Sequence, residues 1–352
     1  MSLSRAEPLH AADARGRGAG HLRALVRQVG AVPGLPFALA GLLLVALAAA
    51  SLFIGVSDLS LRALLAGDDT GRAQMLLAVS RLPRTLAIIL AGSSLAVAGL
   101  VMQILVRNRF VEPSTVGTTE SATLGFLVAA LLVPGWPVMA KMGIAAVFAL
   151  AGTALFLRLL RFVPLRDVLL VPLVGIMLGG VIGAATTFFA YRFNMMPSLL
   201  AWSMGDFSGV LRGRYELLWL ATGAVIIALL TADRLTVAGM GRDFTTNLGL
   251  NHAGIMRLGM VIVSVVAAVC LVSVGTIPFL GLVVPNIVSL MIGDNMRSAT
   301  PWVAMTGALF VLVCDILGRV LRFPYEIPIS VVVGVIGSAI FLVMLLNTRR
   351  HG

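Results

Sequence analysis

The chain has 352 residues, 59% of them hydrophobic and 12% charged, with a mean hydropathy of +1.03. Soluble domains average about 25% charged residues, so this composition excludes the soluble class, along with disordered, collagen-like and disulfide-rich chains. The net charge of +11 comes from 26 Lys and Arg that punctuate apolar runs, as membrane flanks do, instead of gathering on one soluble face as nucleic-acid binding would require.

Residues 1–33 are polar and Arg-rich (Arg5, Arg15, Arg17, Arg23, Arg27), with no small-residue cleavage pattern after a short apolar core, and read as a cytosolic tail. Apolar runs follow at about 36–56, 84–106, 118–134, 138–157, 168–190, 216–231, 256–275, 277–292, 300–318 and 327–347. The stretch from Leu258 to Gly293 would make one helix of about 54 Å, too long for a bilayer core of about 30 Å. Gly275-Thr276-Ile277-Pro278 is the natural break. The pattern predicts an all-α polytopic membrane protein of about ten transmembrane helices, forming one domain over 34–348. Both termini then share a side, and 349–352 form a second short tail. Lys and Arg favour that side, which makes it cytosolic. The opposite side nevertheless keeps a surplus of cations that asks for an explanation.

Three connections are large. Residues 57–81 are external, with Leu61, Leu64, Leu65 and Met75, Leu76, Leu77 placed for short amphipathic surface helices. Residues 191–215 are external and hold Met195, Met196, Trp202 and Met204. Residues 232–257 are cytosolic and predict two short helices broken at Gly239 and Gly241; they read equally as a solvated connector or as a surface that a soluble partner grips.

Candidate chemistry is sparse. His10, His21, His252 and His351 fall in tails or the cytosolic connection, and Cys270 and Cys314 sit singly in apolar runs, so no metal centre or other cofactor is predicted. Ala140 precedes the single lysine, Lys141, which rules out a Gly-Lys-Ser/Thr phosphate loop. No histidine is available in a span to activate a serine, and no catalytic residue is assigned. Asp315 is the clear ionisable group at membrane depth; Arg319, four residues on, lies on the same helical face, and the two predict an intramembrane ion pair. Glu120 reads as interfacial, at the inner end of the third run.

Specific segments carry a resemblance. They are Ser80-Arg81-Leu82-Pro83-Arg84-Thr85-Leu86 with the following small-residue span to Gln103, Asn108-Arg109-Phe110-Val111-Glu112-Pro113, and Gly275-Thr276-Ile277-Pro278-Phe279-Leu280-Gly281-Leu282-Val283-Val284-Pro285-Asn286. Asp315 with Arg319, and Glu326-Ile327-Pro328-Ile329, complete the set. In this order they resemble the FecCD-type permeases, membrane subunits of ATP-binding cassette importers for iron–siderophore complexes and cobalamin, with a type II importer permease fold. Asn286 stands where the family usually has His, and Ser330 where Gly is common. The Asn-Arg-Phe-Val variant resembles the branch serving catecholate-type siderophores.

The resemblance implies a non-catalytic subunit in the inner membrane of a bacterium, moving an iron(III)-siderophore complex. Its partners would be a second permease subunit (a heterodimer), two cytosolic ATPases and an extracytoplasmic solute-binding protein. Arg81, Arg84 and Arg319 match the positions that receive acidic residues of the binding protein, which would explain the external cations; the plain alternative is that Arg81 and Arg84 snorkel at a helix start. Residues 232–257 match the coupling loop, with Gly239, Met240, Gly241, Asn247, Leu248 and Gly249 as ATPase contacts. Gly99, Met102, Gln103, Gly179 and Gly180 are candidates for the translocation path, and equally for close helix packing. The same machine carrying cobalamin or haem, and a stand-alone ion-coupled carrier, are the competing readings.

Overall fold

The computed structural model describes residues 35–54, 74–162, 170–213, 215–293 and 295–348. The two tails and the expected surface helix around Leu61–Leu65 lie outside them. Thirteen α-helices make up the described residues: α1 Leu35–Phe53, α2 Leu82–Val106, α3 Thr118–Leu132, α4 Val138–Leu159, α5 Leu170–Arg192, α6 Met196–Ser203, α7 Leu218–Leu230, α8 Ala232–Met240, α9 Arg242–Asn247, α10 His252–Val274, α11 Leu280–Ile292, α12 Met296–Val320 and α13 Ile329–Thr348. Contacts separate the chain up to Ala46 from a body that begins at Leu47. In the first unit the opening of α1 is an apolar helix with Leu39, Leu42, Leu43 and Val45 exposed. The rest of this account concerns the body.

Each of the ten apolar runs coincides with one helix, and the short α6, α8 and α9 fall in the connections. Seven helices among the described residues are long and apolar enough to cross a membrane, or eight if the pair 215–230 and 232–240, bent by 66°, counts as one. The apolar helices α3 and α11 are shorter. Met75, Leu76 and Leu77 do not form a separate surface helix. Helical backbone is continuous from Gln74 to Val106, through a π-helical turn at Leu77–Arg81.

α2 is the axis of the body: 78% of its apolar window is buried, against 22% for α5. Lipid offers helices no hydrophobic drive to associate, so close backbone approach at small residues does that work. Gly92 faces Gly307 of α12, and Gly99 faces Gly281 of α11; a Cβ at Gly99 would run into the Gly281 backbone.

The two short helices share an origin. Glu112, in the loop after α2, accepts a hydrogen bond from the Phe279 N–H at 2.9 Å, just before α11. The Asn286 amide on α11 donates to the Arg109 carbonyl at 2.7 Å, and Gln103 donates to that of Gly281 at 3.3 Å. The sequence reading put these two connections on opposite sides of the bilayer. Groups in hydrogen-bond contact cannot be about 30 Å apart. In the expected order of ten crossings at least one loop would lie at membrane depth, and α11, about 20 Å long, would complete a crossing only together with the non-helical backbone before it.

The break comes where Gly and Pro predicted it: α10 ends at Val274, Gly275 has φ +81°, and Phe279 enters α11 in the left-handed region at φ +63°. Irregular backbone survives at such depth only when buried in protein or lining a cavity. Here both hold, because Glu112 is 3% exposed and the junction borders a cavity of about 360 Å³. The 191–215 connection also folds back on the body. Trp202 packs edge-on against Phe126 of α3, with ring centroids 4.6 Å apart.

Gly99→Leu should lower the thermal unfolding midpoint of the purified protein in detergent, at a cost of about 1–3 kcal/mol or more, because backbone and not a flexible side chain blocks the new atoms. Gly223→Ala, where the added methyl meets open space, should leave the midpoint unchanged or raise it.

Candidate functional site

Two groups of residues, at opposite ends of α2, have the make-up of contact sites. At its N-terminal end, Arg84 holds a carboxylate on each side of its fork. Nε and Nη2 donate to Asp315 of α12 at 3.3 and 2.8 Å, and Nη1 donates to Glu326 at 2.8 Å. Asp315 is also ion-paired with Arg319, one helical turn on. Arg319 in turn donates to the carbonyls of Ser51 and Ile54 at 3.0 and 2.7 Å and to the Ser51 hydroxyl, and Arg81 donates to the Leu52 carbonyl at 2.7 Å. The cluster thus satisfies the carbonyls that end α1, which otherwise lack partners. Arg suits the role because its planar fork binds two acceptors and never loses its charge.

At the other end lies the segment 232–250. Gly241, at φ +123°, separates α8 from α9, and the guanidinium of Arg107, the residue that caps α2, lies against it. Gly239 is inside α8 and packs on Ile104 of α2. Thr245 is buried and fixes the turn by donating to the Val237 and Gly241 carbonyls. That leaves Met240, Phe244 and Leu248 exposed at 60%, 49% and 56%. Three apolar side chains thus stand exposed on a charged and polar connection, as a surface that a partner covers would present them.

The FecCD transport family model matches residues 42–347. The chain belongs to the FecCD transport family. It is 46% identical over 310 residues to the petrobactin import system permease protein YclN of Bacillus subtilis, covering 88% of this chain and 98% of that one. It is 40% identical over 315 residues to the petrobactin import permease FatD of Bacillus anthracis, covering 90% and 92%. The vitamin B12 import permease BtuC of Citrobacter koseri is 32% identical over 292 residues, covering 80% and 86%. A solved metal-chelate type ABC transporter in an inward-facing conformation superimposes with a TM-score of 0.75 at 26% identity, covering 90% of this chain and all of that one.

Within this FecCD chain the predicted site residues part company. The coupling candidates Gly239, Met240, Gly241, Asn247, Leu248 and Gly249 fall in one segment, but only Met240, Asn247, Leu248 and Gly249 face outward; Gly239 and Gly241 seat the segment on α2. Phe244 belongs with the outward set, and its place four residues after Met240 was the signal for it. Of the three arginines, Arg81 and Arg319 are 8% and 5% exposed, and Arg84 stands nearest the surface with a side chain 14% exposed. Glu326, legible in the Glu-Ile-Pro-Ile motif, completes their cluster.

The path candidates differ in burial. Met102 and Gln103 are buried, Gly99 packs against Gly281, and Gly179 lies beside Glu120 and Gly117. These four lie in the interior of this chain. Gly180 differs, since a Cβ there meets nothing within 4 Å. Glu120 borders the junction cavity with Glu112, and its Oε2 is buried without a hydrogen-bond partner. Among the described residues no three His, Cys, Asp or Glu side chains are grouped to hold a metal ion.

Asp315→Asn removes the anion between two guanidiniums and should cost about 3–5 kcal/mol of stability, read as a lower unfolding midpoint. Arg297→Ala breaks a pair with Asp233 whose side chains are 73% and 66% exposed, and should cost less than about 1 kcal/mol.

Proposed function

We propose that this chain is the transmembrane permease subunit of an ATP-binding cassette importer that carries an iron(III)-siderophore complex across the inner membrane of a bacterium. It works with a second, homologous permease subunit, two cytosolic ATPases and an extracytoplasmic solute-binding protein. The observation that carries this reading is the near full-length match to permeases named for petrobactin import, at higher identity than the vitamin B12 permease. That ordering favours a siderophore over cobalamin. In this reading residues 34–348 form one transmembrane domain of ten crossings with both termini cytosolic. The chain itself hydrolyses nothing.

The two ends of α2 then take their roles. The exposed row Met240, Phe244 and Leu248, with Asn247 and Gly249, enters the ATPase from the cytosolic side. Arg84, backed by Arg81 and Arg319, receives acidic side chains of the binding protein on the outer side. The cargo passes along the exposed face of α5, where Met177, Gly180, Val181 and Phe188 face outward, between this subunit and its partner. A large chelate already selected by the binding protein needs a wide and weakly adhesive passage, and a face of apolar side chains and glycine without charge is of that kind.

Liposomes holding both permease subunits and the ATPases should accumulate ferric siderophore only with ATP and the loaded binding protein. Accumulation by this chain alone under a proton gradient would instead establish an ion-coupled carrier. Phe244→Asp and Leu248→Asp should each reduce binding-protein-stimulated ATP hydrolysis by at least about tenfold, because each places a charge in an apolar contact. Stimulation at the unaltered level would remove the segment from the ATPase interface.

A further inference from the structure

The docking arginine is already occupied from within. Its two acceptors differ sharply in accessibility: the Asp315 side chain is 2% exposed and that of Glu326 is 27% exposed. Asp315 is sealed between Arg84 and Arg319, and releasing it would leave a buried charge unpaired, which is costly. Glu326 holds only Nη1 of Arg84. It sits in the non-helical turn between α12 and α13, close enough to water that its release costs little. The turn is tied to the body by the Ile327 N–H, which donates to the Gly318 carbonyl at 3.0 Å, and within itself by the Tyr325 N–H, which donates to the Arg322 carbonyl at 2.9 Å, and by Arg322 over the Tyr325 ring; Phe323 and Tyr325 stand 65% and 70% exposed.

We propose that Glu326 is a built-in stand-in for the partner's carboxylate: it occupies Nη1 of Arg84 while the binding protein is absent, and an acidic side chain of that protein displaces it on docking. The inference rests on the docking role given to Arg84 above. A guanidinium fork accepts one carboxylate as readily as another, so the exchange conserves the ion pair and returns Glu326 to water. Two consequences follow from linkage. Whatever weakens the Glu326 contact tightens docking, and docking in turn frees the turn that leads into α13. Glu326 also repels an acidic side chain that approaches without reaching the fork, so it discriminates against loose encounters.

The test uses the whole importer in lipid nanodiscs and its own solute-binding protein, fluorescently labelled and loaded with ferric siderophore. Arg84→Glu should weaken binding more than about tenfold, and Glu326→Gln should tighten it roughly threefold to tenfold. If Arg84→Glu has no effect, the docking role of Arg84 falls. If Arg84→Glu weakens binding while Glu326→Gln leaves it unchanged or weaker, the stand-in role is overturned and the docking role stands. A spin label at Tyr325→Cys, with Glu326 intact, gives an independent reading. Its mobility should rise when the binding protein docks, and unchanged mobility would overturn the exchange.

Discussion

Irregular backbone between membrane helices must find its hydrogen-bond partners within the protein, and that constraint organises this fold around the loop of Glu112. The α10–α11 break leaves the first N–H groups of α11 without helical partners, and the loop after α2, whose own N–H groups are largely paired within it, turns the Arg109 carbonyl toward α11. Each supplies what the other lacks. Glu112 accepts from Phe279, and Asn286 reaches back to the Arg109 carbonyl while also donating to Leu282, one turn before it. A buried carboxylate is costly unless it accepts several hydrogen bonds; Ser114 supplies another at 2.7 Å. The junction ties two stretches that are distant in sequence, and the Gly99–Gly281 contact sets how closely they approach.

The same logic governs the charges at the far end of α2. Four ionised side chains from α2, α12 and the turn before α13 neutralise one another and cap the end of α1. α2 therefore touches both candidate interfaces, through Arg84 at one end and through Ile104 and Arg107 at the other. Between Arg84 and Val106 runs about 35 Å of helix with no interior proline or π-turn, so a tilt imposed on one end is carried to the other. Transport driven by remote ATPases asks for such an element, because the work of nucleotide hydrolysis reaches the membrane only as movement of packed helices.

Much of this was legible in the sequence. The ten apolar runs coincide with ten helices because mean hydropathy over about 20 residues reports a requirement of the bilayer and not a subtle packing preference. Gly275 and Pro278 announced their break because they change what the backbone itself can do. What stayed hidden was depth. Nothing in the run from Thr276 to Phe279 says that it meets the loop of Glu112, since that meeting depends on pairing between segments about 167 positions apart. Asp315 and Arg319 were readable as a pair by their four-residue spacing, whereas Arg84 and Glu326 join them only through tertiary contact.

Glycine was the hardest letter to read, and α5 shows why. Successive residues of a helix point about 100° apart, so Gly179 and Gly180 serve opposite needs. A Cβ on Gly175 would run into Thr115 and Val116, while one on Gly179 would meet Gly117 and Glu120 at ordinary contact distance. Gly180 and Gly183 meet open space. A single subunit gains nothing from the second pair: each glycine in a helix gives up about 1 kcal/mol relative to alanine unless something approaches it closely. In a monomer that loss has no return. In an importer of two permeases, the same open face would let a partner helix or a bulky chelate come near the backbone, and this supports the proposal that the path runs along α5.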